Sequence, residues 1–509
     1  MSGLRREQAP ARHRAGVRFF RHNGWSGMQE LSPASWDGRR ITVMGLGLHG
    51  GGLAVASWFL RHGAAVAVTD RKTRRELAPS VAELERAARE RGSGTLTLAL
   101  GGHRVTDFRD TDLVIQNPGV PRESSFLAIA RAANVPIENE ASLFLKMVRE
   151  KGEKRGVGAA SGGNIRIIGV TGTRGKSTTA ALIHAMLREY GRTVFLAGNI
   201  RIPMLGVLDD VLRAAKRGPV DVVLELSSWH CEILSRATGG PDIAVLTNLF
   251  PDHLNRYRSM RSYAAAKARL VRFQDRRGVV IANAEQPVVR AMARLSPGRV
   301  VWFSRRRADG AALRSRALLK LPGEHNTMNA LAAMTAARAC GVPLRAIREA
   351  LRSFRGLPGR IEVVARHRGV TFVNDTCATT PEAAIAALLS LRGARDGTRH
   401  IVLIAGGTDK NLAFDTWAKE VVKSVSALVF LPGTATEKMK RALKSFNIQH
   451  STFNIQDASS MRSAVRAARR LARSGDSVLL SPAAASFGLF VHEFDRGDQF
   501  VHAVRAAVA

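Results

Sequence analysis

The chain of 509 residues is 45% hydrophobic, enough for several buried cores, and its length predicts roughly two to four domains, while no apolar run of about 18 residues marks a membrane span. Lys and Arg number 77 against 42 Asp and Glu, a formal net charge of +35. The arginines are scattered, aromatic residues make up 6%, and no zinc-finger or RNA-recognition motif occurs, so nucleic acid is not expected as a partner and anionic small molecules are.

Residues 1–38 form a basic N-terminal extension without an apolar core, which is no secretory signal. It reads either as a disordered tail or as upstream sequence ahead of Met28. A first α/β block is expected over residues 39–160. Its apolar strand Ile41–Met44 runs into Gly45, Gly47 and Gly50, and Asp70 closes the next strand 20 residues later. That is the G-x-G-x-x-G fingerprint of a Rossmann-like fold, in which glycines allow a tight turn and a helix N-terminus attracts phosphate. The same geometry holds any diphosphate, or serves packing alone. A further strand ends in the turn Asn117-Pro118-Gly119.

A linker rich in Gly and small residues, Glu153–Asn164, leads to the second block, expected over residues 161–357. Its strand Ile165–Val170 precedes Gly172-Thr173-Arg174-Gly175-Lys176-Ser177-Thr178, a shortened P-loop with Val170 where the full pattern has glycine. Backbone N–H groups there can cradle phosphates, Lys176 can reach the outer phosphate oxygens, and Ser177 can ligate Mg²⁺. Of two later strands, one carries Glu225 near its C-terminal end and the other is followed by Asp252 and His253, at the carboxyl ends where open parallel sheets collect ligands. Glu225 could equally pair with a buried arginine, and His253 could cap a helix. "SYAAAKARL" (Ser262–Leu270) reads locally as a helix with one routine lysine, Lys267. Asn326 and Asn329 open an alanine-rich helix and could cap it or meet a base edge.

The third block, expected over residues 358–509, carries strands at Thr371–Asp375, Ile401–Gly407, Ala427–Gly433 and Ser477–Ser486, a second doubly wound fold. Polar residues close its strands: Asp375, Thr376 and Thr379, then Asp409 and Lys410, then Ser481 and Ser486. Cys231, Cys340 and Cys377 have neither metal-ligand spacing nor a pairing pattern, which fits a reducing, cytoplasmic compartment.

The stretches "GVTGTRGKSTTAALI", "GNIRIP", "LELSSWH", "TNLFPDHLNRY", "YAAAKARL", "GEHNTMNALAA", "GLPGRIE", "NDTCATTPEA", "IAGGTDKN" and "LLSPAAASF" occur in the order found in the Mur ligase family, which the chain resembles from about Ile41 to its end. The resemblance implies three α/β domains: a Rossmann-like domain for a UDP-sugar, a central P-loop ATPase, and a Rossmann-like domain for the incoming amino acid. It implies an ATP-dependent amide ligation through an acyl phosphate. The N-terminal block is most similar to the branch that adds D-glutamate to UDP-N-acetylmuramoyl-L-alanine for peptidoglycan, in the cytoplasm and as a monomer.

Residue by residue, the resemblance implies that Ser177 and Glu225 hold one Mg²⁺, and that His253 and Lys267 hold a second. An ammonium has no lone pair to offer a cation. In the family the matching lysine is carbamylated by CO₂, so the neutral amine of Lys267 must be accessible. Asn326 and Asn329 match residues near adenine; Arg360 and Asp375 match nucleotide contacts. Gly47, Leu48, His49, Asp70, Arg71, Asn117, Gly119 and Asn199 match the UDP-sugar side, and Thr379, Lys410 and Ser486 match the amino-acid pocket. Three departures cluster at that pocket: Cys377 where the family usually has lysine, Gly359 where histidine is common, and Glu493 where an aromatic is common, with Phe494 one place later. They leave D-glutamate, L-glutamate or another acid open as the acceptor.

Overall fold

The computed structural model describes residues 36–48, 50–90, 94–153, 164–253, 256–306, 314–315, 317–319, 321, 323–392, 400–445, 454–486 and 488–508. Most of the basic extension, His49 and most of the linker lie outside them.

Three sheets form in chain order. The first contains β1 (Arg40–Met44), β2 (Ala65–Asp70), β3 (Thr95–Leu100), β4 (Leu113–Gln116) and β5 (Ile137–Glu138), all parallel in the order β3-β2-β1-β4-β5. Trp36 lies wholly buried against Phe59, with ring centroids 5.0 Å apart, so packing begins just ahead of the expected start at residue 39.

The central sheet contains β6 (Ile165–Thr171), β7 (Thr193–Gly198), β8 (Val220–Glu225), β9 (Ile243–Leu246), β10 (Val279–Asn283) and β11 (Arg299–Phe303). It is parallel throughout, in the order β11-β10-β9-β6-β8-β7. Helices cover both faces, which is why β6, β8 and β9 read as near-continuous Val/Ile/Leu runs. The chain leaves β6 towards β7 and β8 on one side and returns to β9 on the other. The carboxyl end of β6 is therefore a topological switch point, where a ligand crevice opens.

The third sheet holds β12 (Glu362–His367), β13 (Val370–Asn374), β14 (Ile401–Ala405), β15 (Val425–Phe430), β16 (Asn454–Asp457) and β17 (Ser477–Leu480) in the order β12-β13-β17-β14-β15-β16. Only β12 runs antiparallel, against β13. β17 stops at Leu480, short of the expected Ser486, because residues 481–486 turn into a loop that bridges Ala485 to Thr408. Among the described residues no helix is long and apolar enough to cross a membrane.

Candidate active site

The P-loop is built by what glycine permits. Gly172 has φ +152° and Gly175 φ +77°; a Cβ on either would lie 2.0 Å from Thr247 Oγ1 or Asn329 Oδ1 respectively. Gly175 thus turns the chain into the helix Lys176–Glu189 with no side-chain cap, leaving that helix's first N–H groups available to a ligand. Asn248, at the end of β9, fixes the loop. Its Oδ1 accepts from the Arg174 N–H at 2.9 Å, and its Nδ2 donates to the Arg174 carbonyl at 3.0 Å. Thr173 accepts from the Phe250 N–H at 3.0 Å. The Arg174 side chain leaves the loop to pair with Glu382 of the third domain at 3.6 Å. Lys176 folds back to donate to the Thr173 carbonyl at 2.9 Å. Burial, with the nearby Arg360, holds its amine below the ordinary lysine range, while Glu225 and Asp252 oppose. Ser177 is buried, and its hydroxyl accepts from Arg360 of the third domain at 3.0 Å. Thr178 is buried beside it.

Glu225 ends β8 in register with Val170 of β6, next to the P-loop. Its side chain is 1% exposed. Among the described residues no arginine hydrogen-bonds to it, although Arg360 lies in its field: Oε1 accepts from Asn199 Nδ2 at 3.2 Å, and Oε2 has no hydrogen-bond partner. A buried carboxylate oxygen without a donor is costly, and a cation satisfies it. Among the described residues no three His, Cys, Asp or Glu side chains converge as a ready cage. One carboxylate and one hydroxyl beside a phosphate-binding loop is the donor set that suits Mg²⁺, which shares its shell with substrate phosphates.

Lys267 lies on the inner face of the helix Met260–Arg272, which starts at a Ser259/Ser262 capping box. It is 1% exposed and donates to the Gly172 carbonyl at 2.8 Å. Burial, with the neighbouring Lys176 ammonium, lowers its amine from 10.5 to about 7. Among the described residues His253 caps no helix; the next one is capped by Ser259. It sits in left-handed backbone (φ 54°), half-exposed, with its ring 5.4 Å from that of Trp229. Its imidazole is held below the ordinary range by burial, against Asp252 and with Lys267, Lys176 and Lys410 adding to the drop. One cluster therefore includes residues of all three strand ends and of the third domain.

Asn326 and Asn329 are buried and bond to each other, Asn329 Nδ2 donating to Asn326 Oδ1 at 3.1 Å. Neither caps the helix Glu324–Ala339, whose N-cap is Gly323; Asn329 lies against the P-loop turn at Gly175, and Asn326 reaches it only through Asn329. Asp375 accepts from Ser481 Oγ at 2.9 Å and the Ile361 N–H at 3.2 Å, and burial pushes its carboxyl up to about 7. Lys410 donates to Thr379 Oγ1 at 3.2 Å, and Ser486 is buried.

In the first domain Asp70 props the glycine turn, accepting from the N–H groups of Leu46 at 2.9 Å, Gly47 at 3.2 Å and Lys72 at 2.9 Å. Asn117 ties the same turn through the Gly45 carbonyl. Leu48 is half-buried, and Arg71 and Gly119 are exposed. Three residues escaped the sequence reading. Asn248 directly follows the "LT" end of β9 and could have been found there. Arg496, fully buried, donates to Thr376 Oγ1 at 3.1 Å and to the carbonyls of Thr376 at 2.9 Å and Ala484 at 3.1 Å. Arg201 lies inside the stretch "GNIRIP" without being singled out there, and it meets Phe494 of the third domain; no motif announces Arg496.

Three family models match the chain: the MurD-like N-terminal domain of Mur ligases over residues 39–139, the Mur ligase middle domain over 170–337, and the Mur ligase glutamate ligase domain over 359–484. The chain is 40% identical over 489 residues to the "UDP-N-acetylmuramoylalanine--D-glutamate ligase" of Roseiflexus sp. (strain RS-1), covering 91% of this chain and 97% of that one. A protein of the same name from Symbiobacterium thermophilum is 34% identical, with 92% and 98% covered. Among solved structures, the UDP-N-acetylmuramate-alanine ligase of Thermotoga maritima matches with a TM-score of 0.56 at 22% identity, over 92% of this chain and 100% of that one, a likeness of fold.

Proposed function

This chain belongs to the Mur ligase family, and from that premise we propose how its residues run the reaction. It is an ATP-dependent amide ligase that adds D-glutamate to UDP-N-acetylmuramoyl-L-alanine during synthesis of peptidoglycan precursors. A substrate carboxylate oxygen attacks the γ-phosphorus of ATP and ADP leaves. The glutamate amine then attacks the acyl carbon, phosphate leaves, and the nitrogen gives up a proton.

The observation that carries the catalytic reading is Glu225, whose buried Oε2 has no partner beside a P-loop. With Ser177 it would hold Mg²⁺, which supplies charge neutralisation on the transferring phosphoryl group. Phosphoryl transfer is chiefly a problem of position and charge, and this chain's residues address both. Lys176, three residues from the carbonyl it now binds, is released to the phosphates when they enter. Arg360 brings a permanent cation from the third domain to the same loop. Asn329, behind Gly175, and Asn326 bonded to it suit the adenine edge. Asp375 anchors the segment that carries Arg360 through the Ile361 N–H.

Lys267 is assigned to a second metal position together with His253, as a carbamate. A neutral amine adds CO₂ and sheds one proton, and the ammonium donor becomes an anionic ligand. A lysine titrating near neutrality supports that role. The UDP-sugar is assigned to the first domain's glycine turn, at Gly47, Leu48, Asp70, Arg71, Asn117 and Gly119, with Asn199 at the reacting end. His49 belongs to this set by sequence and lies outside the described residues. Thr379, Lys410 and Ser486 would take the amino acid, the lysine pairing with a carboxylate. All three domains are present in one chain, so the working unit is proposed as a monomer, in the cytoplasm with its nucleotide substrates.

The test is direct. The protein with ATP, Mg²⁺ and UDP-N-acetylmuramoyl-L-alanine is offered D-glutamate, L-glutamate or D-aspartate separately. Phosphate release and amide product with D-glutamate are expected; the absence of turnover with D-glutamate would overturn the reading.

A further inference from the structure

The loop between β7 and the helix Met204–Ala215 carries a strained cation. Gly198 and Ile202 close it with an antiparallel bridge, the Gly198 N–H donating to the Ile202 carbonyl at 2.7 Å. At its tip Arg201 adopts φ +70°, a left-handed conformation that costs a side-chain-bearing residue about 1 kcal/mol or more. Strain of this kind persists where something else uses the residue. Two residues earlier on the same loop, Asn199 grips Glu225 at the metal position. The guanidinium of Arg201 crosses to the third domain and lies over the Phe494 ring, its Cζ 3.1 Å from the ring centroid. There it lies in the field of Asp498, Cys377 and Glu493, and the residue remains exposed to solvent. A guanidinium held over an aromatic ring by its cationic carbon keeps N–H donors at its edge that can meet a carboxylate.

The opposite wall lacks a cation of its own at position 377, where the side chain is a thiol. The incoming amino acid is a dianion at its two carboxylates, and Glu493 adds a negative charge to the pocket. Lys410, Arg360 and Arg496 also face Glu493. Of these, Arg496 spends its donors on Thr376 and Ala484, and Arg360 binds Ser177.

We propose that Arg201 is a specificity-determining contact of the amino-acid site: presented by the left-handed loop tip and held over Phe494, it pairs with a carboxylate of the incoming acidic amino acid from the ATPase-domain side of the cleft. The proposal rests on the glutamate-ligase reading and assigns the acceptor's binding to two domains rather than to the third alone. It also gives domain approach a chemical consequence, because the acidic amino acid then bridges the walls it reacts between.

Arg201→Gly, Arg201→Lys, Cys377→Lys and the double variant Arg201→Gly/Cys377→Lys test it by steady-state kinetics with each substrate varied in turn. Glycine suits φ +70°, so Arg201→Gly is expected to melt no lower than the parent. Its KM for glutamate should rise about tenfold or more while the KM values for ATP and the UDP-sugar stay within about twofold. Arg201→Lys should recover part of the loss, and a lysine at 377 in the Arg201→Gly background should recover part from the other wall. An unchanged glutamate KM in Arg201→Gly would overturn the proposal. So would a parallel rise for all three substrates without rescue by lysine at 377, the result of a domain latch. Failure of the parent itself to use glutamate would instead sink the functional reading, independently of any variant.

Discussion

Replacing Lys267 with methionine separates what the buried amine costs the fold from what it does for the reaction. The side chain is 1% exposed and burial carries its amine from 10.5 to about 7. At about 1.4 kcal/mol per pH unit, that drop corresponds to at most ~5 kcal/mol of folding free energy lost at neutral pH. Against this, the bond from Nζ to the Gly172 carbonyl, 2.8 Å long, contributes about 1 kcal/mol that methionine forfeits. The net expectation for Lys267→Met is a stabilisation of roughly 1–4 kcal/mol at pH 7 in CO₂-free buffer without nucleotide. The sign has a pH signature. Between about 7 and 10.5 the unfolded chain holds a proton on this lysine that the folded chain has released. The parent therefore gains stability with rising pH across that window, and the advantage of the variant closes towards 10.5. Thermal melting across pH 7–10.5 reads this window directly. Ligation should fall about a hundredfold or more in the same variant. Native mass spectrometry of the parent with bicarbonate should show the added mass of one CO₂, absent in the variant. A variant less stable than the parent at pH 7, or a gap that stays constant with pH, would refute the reasoning about burial. Full activity with Lys267 unmodified would refute the carbamate.

Glu225→Gln keeps the shape at the end of β8 but removes the charge of the partnerless oxygen; the Mg²⁺ concentration for half-maximal activity should rise at least about tenfold, and an unaltered Mg²⁺ dependence argues against a metal there. Gly175→Ala puts a methyl 2.0 Å from Asn329 Oδ1 at φ +77°, so a loss of about 1–3 kcal/mol in stability and of about tenfold or more in ATP affinity is expected, measured by melting and by nucleotide titration; normal ATP affinity would contradict the turn's assignment. Asp375→Asn preserves a buried carbonyl acceptor. Because the carboxyl is raised from 3.8 to about 7, the folded parent holds a proton there that the unfolded chain loses, and its stability falls as pH rises across that window. The variant should therefore be the more stable by about 1–3 kcal/mol above pH 7 and no more stable near pH 4, and a pH-independent difference would count against the buried carboxyl as its source.

The P-loop was legible because glycine spacing, lysine and the strand–helix switch all lie within one β–α unit, where sequence distance is spatial distance. The ends of β8 and β9 were legible for a related reason, since parallel sheets gather their carboxyl ends whatever lies between. Asn326 and Asn329 were ambiguous locally; the fold gives the N-cap to Gly323 and sets the Asn329 amide against Gly175, with Asn326 bonded to it. Arg360 on Ser177 spans 183 residues and Lys267 on Gly172 spans 95; no periodicity encodes such pairs. Asp70 shows the converse: it closes β2 at the position the motif gives, and its hydrogen bonds go to the glycine turn at Leu46 and Gly47 and to the Lys72 N–H. Arg496 had no local signal, and Arg201, although inside "GNIRIP", was not singled out, because an arginine in so basic a chain carries little information until its partners are known. Lys267 makes the physical reason plain. In "SYAAAKARL" it is a helix residue with an ordinary amine. Only when the helix Met260–Arg272 packs behind the P-loop does burial combine with the Lys176 charge to make the neutral amine accessible near pH 7. The lowered amine is a property of the assembled domain, which a reading of the local sequence does not contain.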